Sequence, residues 1–368
     1  MGLGVAWRLA QAGAKVVVLE KRAVGAGASR AAAGMLAPIA ELEFHETELQ
    51  QFALASQRRW PSFVQELEAD ADFSVEYETT GTLMVAWDRD EAEALERHFK
   101  YQQELGFRVE WLSGRGLRRI EPMLSPRLVG GIHCPEDVQV SNRCLVEALA
   151  RAARARGVEI REGVEVARVH FKGDRAAGVE LADGSVVEAD EVVIAGGAWS
   201  RTLAPEGRLS LPIRPVKGQM IGLQMDTRFP LTRHVIRRQG VYLVPKADGT
   251  LVVGATSEEM GFDDRITAFG MRTLLEGAWE ILPGVDELPI KETWTGFRPA
   301  SRDNAPLLGR TSISGLSVIT GNYRNGIQQS PLSIDAASAS ILGHALPPEA
   351  LPFNPMRFTD ENASAREN

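Results

Sequence analysis

The first twenty residues constrain the fold of this chain more than any others. The opening MGLGVAWRLAQ puts Val5, Leu9 and Ala12 on one helical face, Gly13 stops the helix, and Lys15 to Glu20 is an apolar run closed by an acid. A helix that turns straight into a buried strand is the second half of a βαβ unit.

When such a unit binds a dinucleotide, the pattern GxGxxG supplies a tight turn, close approach of backbone to pyrophosphate, and close helix-to-strand packing. An acid about 20 residues further on then binds ribose hydroxyls. Gly2 can be the third glycine and Glu20 the ribose acid. A plain helix and strand with an acidic end is the alternative, and these residues alone leave both open. The first strand and the first two glycines would precede Met1, so the chain as written is expected to hold a dinucleotide poorly and the natural start is expected further upstream.

Gly25 to Pro38, GAGASRAAAGMLAP, is too rich in small residues for a helix interior and too apolar for a surface loop. Small side chains let backbone amides pack against a flat ligand. A second strand-to-small-turn junction recurs at Ala195 to Ser200, and a third runs from Ser317 through Gly326 into a helix over about 327–342. Between them the patterns predict amphipathic helices over 46–70 and 89–105, a hairpin over 74–87, a capped helix from Ser141 to Gly157, a hairpin turning at Asp248 and Gly249, and a helix over 268–282. The segment beyond Pro347 reads as a loose tail.

At 368 residues, two domains on one polypeptide are expected. The net charge of -8 argues against a nucleic-acid partner, and Arg115, Arg118 and Arg119 read as solvated helix edges. Two cysteines, Cys134 and Cys144, give no disulfide framework and fit a reducing compartment as buried or inert thiols. The six histidines have no metal-ligand spacing, so no metal is expected. No run of about 18 apolar residues and no signal segment appears, so a cytoplasmic protein without a membrane partner is expected.

Several stretches coincide with one family. AAAGMLAP at 31–38, PVKGQ at 215–219, YLVP at 242–245, GAT at 254–256, GFRP at 296–299 and GNYRNGI at 321–327 resemble the glycine oxidases, the thiamine-pathway branch of the D-amino acid oxidase family of flavoproteins. The resemblance runs in order along nearly the whole chain. It implies an α/β fold: a discontinuous, Rossmann-like FAD-binding domain (1–40, 140–215 and 290–346) interleaved with a substrate domain on a mixed, largely antiparallel sheet (41–139 and 216–289), and a tail from 347 to 368.

For the cofactor, FAD, the resemblance implies that Glu20 holds the adenosine ribose. Ser29, Met35 and Val166 then lie along the cofactor, and Ala195, Gly196 and Trp199 pack beside it. Asn325, Gly326 and Ile327 open the helix whose amides point at the pyrimidine end of the isoalloxazine.

For the substrate, it places Arg298 as the guanidinium fork that meets a carboxylate, Tyr242 as a hydroxyl on the same carboxylate, and Arg324 in the glycine turn near the flavin. The implied reaction is oxidative deamination of glycine, sarcosine or a small D-amino acid, with dioxygen as acceptor and no side-chain base. A homo-oligomer is also implied. Two departures bear on the substrate: Ser257 follows GAT where the relatives carry Met, and Gln328, Gln329, Ser330 and Pro331 replace the run LLAP. The rivals are a D-amino acid dehydrogenase that uses a different acceptor and a silent FAD-fold remnant that serves as a binding protein.

Overall fold

A computed structural model describes residues 1–358. The chain runs α1 (Gly2–Gln11), β1 (Val17–Glu20), α2 (Ala28–Ala31), β2 (Met35–Leu36), α3 (Thr47–Ala71), β3 (Thr82–Ala86), α4 (Arg89–Glu104), β4 (Glu110–Ser113) and α5 (Gly114–Ile120). Next come β5 (Gly130–Cys134), β6 (Val138–Gln139), α6 (Asn142–Ala155), β7 (Glu159–Glu162), β8 (Val166–Lys172), β9 (Arg175–Leu181), β10 (Val186–Glu188), β11 (Val192–Ile194) and α7 (Ser200–Leu203). The last third holds β12 (Arg214–Gln224), β13 (Val235–Arg238), β14 (Val241–Pro245), β15 (Thr250–Gly254), α8 (Ala268–Ile281), β16 (Ile290–Ala300), β17 (Leu307–Arg310), β18 (Leu316–Thr320) and α9 (Ser330–Leu342).

Two groups of strands divide the molecule. The first holds short parallel pairs: β1 with β7, and β11 with β18, to which β17 adds antiparallel. No ladder joins β1 to β11, yet Val16 before β1 and Val193 in β11 pack on one cluster with Val5, Leu9 and Ile319. The second group is an eight-stranded mixed sheet in the order β16-β12-β15-β14-β13-β3-β5-β4. β16, which the sequence reading put with the cofactor-binding segments, is an edge strand of this sheet.

Helices α1, α3 and α6 form the core beneath the first group. Trp7 of α1 is fully buried, meets Phe63 of α3 edge-on at 5.7 Å, and donates from Nε1 to Asp70 at 2.8 Å. Gln11 and Arg156 donate to the same carboxylate, so one acid ties three helices together. Replacing Trp7 by Ala would cost about 3–5 kcal/mol through the cavity it leaves. Side-chain caps set two helix starts: Asp88 accepts from Glu91 N at 2.9 Å ahead of α4, and Ser141 accepts from Cys144 N at 3.3 Å ahead of α6.

The long periodic helices lie where the sequence places them, and the hairpin that turns at Gly249 is β14–β15. Two readings change. Residues 74–87 are not a hairpin: β3 pairs in parallel with β13 and antiparallel with β5, and Glu78 bridges to Gln139. A strand with partners on both sides cannot also fold back on its own neighbours. Residues 348–358 are packed rather than loose, because Phe353 meets Phe52 at 4.9 Å and buried Arg357 pairs with Asp303. The rest of the expected tail, 359–368, lies outside the described residues.

Candidate active site

A cavity of about 1570 Å³ lies between the two groups of strands, and all fourteen residues singled out from the sequence line it. Gly2 and Glu20 stand at the α1–β1 end, with Ser29 and Met35 along one wall and Val166, Ala195, Gly196 and Trp199 along another. Asn325, Gly326 and Ile327 close the far end, and Tyr242, Arg298 and Arg324 face in beside them.

Local packing explains each wall. The segment carrying Ser29 is held by Asn142, whose Nδ2 donates to the carbonyls of Ser29 and Arg30 at 2.8 and 3.1 Å, and by Trp294, whose Nε1 donates to Ala31 O. Gly34 (φ +80) is required where it stands, since a Cβ there would lie 2.1 Å from Val140 O. Lys246 donates to that carbonyl at 2.9 Å, and burial pulls its ammonium down to about 8. At the far end, Ser56 Oγ and Trp60 Nε1 both donate to Gln328 O, which fixes the turn ahead of α9.

The cavity fits FAD. Among the described residues no side chain caps α1, so its first amides are open where they meet the cavity, and a helix N-terminus favours phosphate or developing negative charge. At the start of α9, by contrast, Ser330 N donates to Ile327 O, Pro331 has no N–H and Leu332 N donates to Ser56 Oγ. The Oδ1 of Asn325 and the Oγ of Ser330, buried in the cavity-lining turn, have no hydrogen-bond partner among the described residues. Among the described residues the Glu20 carboxylate accepts only from Arg22 N, at 2.9 Å through Oε1, which leaves Oε2 for a ribose hydroxyl.

The polar end is built on the eight-stranded sheet. Arg298 donates through Nη1 to Thr256 O at 3.0 Å and Lys217 O at 3.3 Å, and it has no carboxylate partner among the described residues. Tyr242 points its hydroxyl toward Met220 Sδ at 3.5 Å. Burial pushes its pKa up to about 12 against the opposing charge of Arg298, so the hydroxyl stays protonated and can donate. A half-buried guanidinium with no acid partner among the described residues, beside a phenol donor, has the donor set that a carboxylate can use.

Residues 1–338 match the family described as FAD dependent oxidoreductase. The chain belongs to this DAO family. The DAO-family chain is 34% identical over 361 residues to the bifunctional protein ThiO/ThiG of Trichormus variabilis, covering 97% of this chain and 54% of that protein. It thus spans about half the length of the bifunctional relatives it matches. It is 35% identical to the glycine oxidase of Geobacillus kaustophilus, covering 90% of this chain and 88% of that protein. The crystal structure of glycine oxidase from Geobacillus kaustophilus superposes with a TM-score of 0.91 at 32% identity, over 97% of this chain and 96% of that one.

Two sequence readings are refined within the DAO-family site. The amide of Gln328, on the cavity wall, donates to Ala53 O at 2.7 Å, and Gln329 Oε1 accepts from Asn322 Nδ2 at 3.1 Å while its Nε2 has no hydrogen-bond partner among the described residues. Arg324 is paired with Glu43 at 2.9 Å, at the boundary with a smaller cavity of about 470 Å³ that shares Tyr323, Arg324 and Asn325 with the large one. Sequence reasoning missed Glu41 and Arg237, which also line the large cavity. Arg237 stands directly across from Tyr242 in the β13–β14 ladder, on the same face of the sheet.

Proposed function

We propose that this protein binds FAD in the large cavity and oxidises glycine, or a similarly small amino acid, to its imine. The imine hydrolyses to glyoxylate and ammonia, dioxygen takes the electrons to give hydrogen peroxide, and the product chemistry serves thiazole formation in thiamine synthesis. The observation that carries this reading is Arg298, a cation facing the cavity with no acid partner among the described residues, next to a protonated Tyr242.

In this reading Glu20 and the open amides of α1 hold the adenosine and pyrophosphate parts of FAD, and the turn before α9 meets its ring. FAD supplies the two-electron acceptor. Arg298 and Tyr242 grip the substrate carboxylate, which fixes the α-carbon relative to the ring, and such positioning is the protein's main contribution to rate. The named glycine oxidase and ThiO/ThiG relatives support the choice of substrate. Among the described residues no helix is long and apolar enough to cross a membrane.

The test is to load the protein with FAD, exclude oxygen and add glycine. Bleaching of the flavin band, with recovery and peroxide on admitting air, is expected. Bleaching without recovery in air would assign a different acceptor, and a band that glycine leaves untouched would overturn the substrate.

A further inference from the structure

Glu41 is an acidic side chain that lines the large cavity, and its charge acts on the Tyr242 hydroxyl along with those of Arg298 and Arg237. It sits on a short irregular segment after β2 whose shape is imposed from outside. Asp137 accepts from Ile39 N at 3.1 Å and Ala40 N at 3.0 Å, Arg237 donates to Ala40 O at 2.7 Å, and Glu41 N donates to Ala37 O at 2.9 Å. The side chain is only 16% exposed, and among the described residues it accepts no hydrogen bond and makes one ionic contact, with Arg237 at 3.5 Å. A carboxylate this enclosed with its acceptor sites unspent is unusual, because buried carboxylates are normally satisfied.

A zwitterionic amino acid carries two charges, and the receptor of Arg298 and Tyr242 answers one of them. We propose that Glu41 answers the other: it receives the substrate ammonium and takes its proton. This rests on the reading of the protein as an amino acid oxidase. One ammonium N–H bond breaks and one O–H bond forms on Glu41, leaving the nitrogen its electron pair. That pair becomes the second bond of C=N as the α-hydrogen departs with its two electrons to the FAD acceptor, giving a protonated imine.

Arg237, anchored on Ala40 O, holds one side of the carboxylate. Other charged or titratable groups that interact with Glu41 are Arg324 from the turn after β18, Tyr242 from β14, and Asp137 from the turn before β6, whose carboxyl burial pushes up to about 8. Glu43, further along the same segment, is taken up by Arg324.

The experiment compares FAD-loaded wild type with Glu41→Gln and Glu41→Asp in two measurements: acetate binding by the perturbation of the flavin spectrum, and kcat/KM for glycine from neutral to alkaline pH. Acetate has a carboxylate and no ammonium, so its affinity in Glu41→Gln should stay within about twofold of wild type. The glycine kcat/KM of Glu41→Gln should fall by about 10²-fold at neutral pH, as for loss of a general base. The deficit should shrink as rising pH strips the proton from the amine in solution, and Glu41→Asp should recover part of the loss. Parallel pH profiles for wild type and Glu41→Gln, or equal losses of acetate and glycine, would overturn the role of Glu41. Failure of the wild type itself to oxidise glycine would instead remove the reading on which the role rests.

Discussion

The guanidinium of Arg298 lies across the bare backbone of Gly218: a Cβ at that glycine would stand 2.7 Å from both of its terminal nitrogens. The two strands are neighbours, with Gly218 opposite Gly296 and Arg298 two residues further along. A methyl group there must push the fork aside, since the obstacle is a side-chain end and not backbone. Gly218→Ala is therefore expected to weaken acetate and glycine binding about tenfold, the worth of roughly one good hydrogen bond, while FAD content and Tm stay near wild type. A spectral titration with acetate checks it; unchanged affinity would mean that the fork has another resting place.

Arg298→Ala should retain FAD and lose carboxylate affinity by about 10- to 100-fold, the usual range for a charge-assisted pair. Arg298→Lys keeps the charge and loses the planar fork, so it should recover only part of that loss. Wild-type affinity for acetate in Arg298→Ala would rule out this residue as the anchor.

At the other end of the cavity, Glu20→Ala should lower the affinity of the apoprotein for FAD by about tenfold or more, because a hydrogen bond from a ribose hydroxyl to a charged acceptor is lost. Tryptophan quenching during FAD titration reads it directly, helped by Trp199 on the cavity wall. Equal affinities would leave Glu20 as a turn residue serving only Arg22 N.

Asp70 gives a prediction about acid stability. Its hydrogen bond to Arg156, with further help from Trp7 and Gln11, holds its carboxyl down at about 2. The folded-state pKa is depressed, so its contribution is present above about pH 4 and fades as pH falls toward 2. Discounted for solvent around Arg156, the contribution is about 1 kcal/mol. Asp70→Asn should lower stability by about that amount at neutral pH and converge on wild type near pH 2 in urea melts; a constant gap across that range would contradict the linkage.

What could be read in advance follows the locality of each signal. Helices α3, α4, α6 and α8 declare themselves through apolar periodicity and through caps such as Asp88 and Ser141, all contained in their own residues. The cavity walls at 25–38, 195–200 and 321–327 were legible because small residues in unusual density have few other uses. The pairing of β3 with β13 was not, since its partner lies about 150 residues away and nothing in Thr82–Ala86 names it. Arg237 was within reach: a two-residue turn at Gln239–Gly240, with Gly240 at φ +81, puts it opposite Tyr242 by counting back. Glu41 was not, because its place depends on Asp137 reaching over from a distant turn.

The ladder that sets Arg237 against Tyr242 continues through Gly254 on β15, and β12 links β15 to the strand that carries Arg298. Arg237, Tyr242 and Arg298 thus hang from one hydrogen-bonded fabric, so the spacing between them is a matter of strand register and does not wait on two lobes closing. Substrate choice in such a molecule can be rewritten by exchanging a few neighbouring positions on that fabric while the cofactor's walls, made by other segments, are left as they are. A combinatorial library restricted to positions 237, 242, 257 and 298 is the natural place to look for oxidases of new amines.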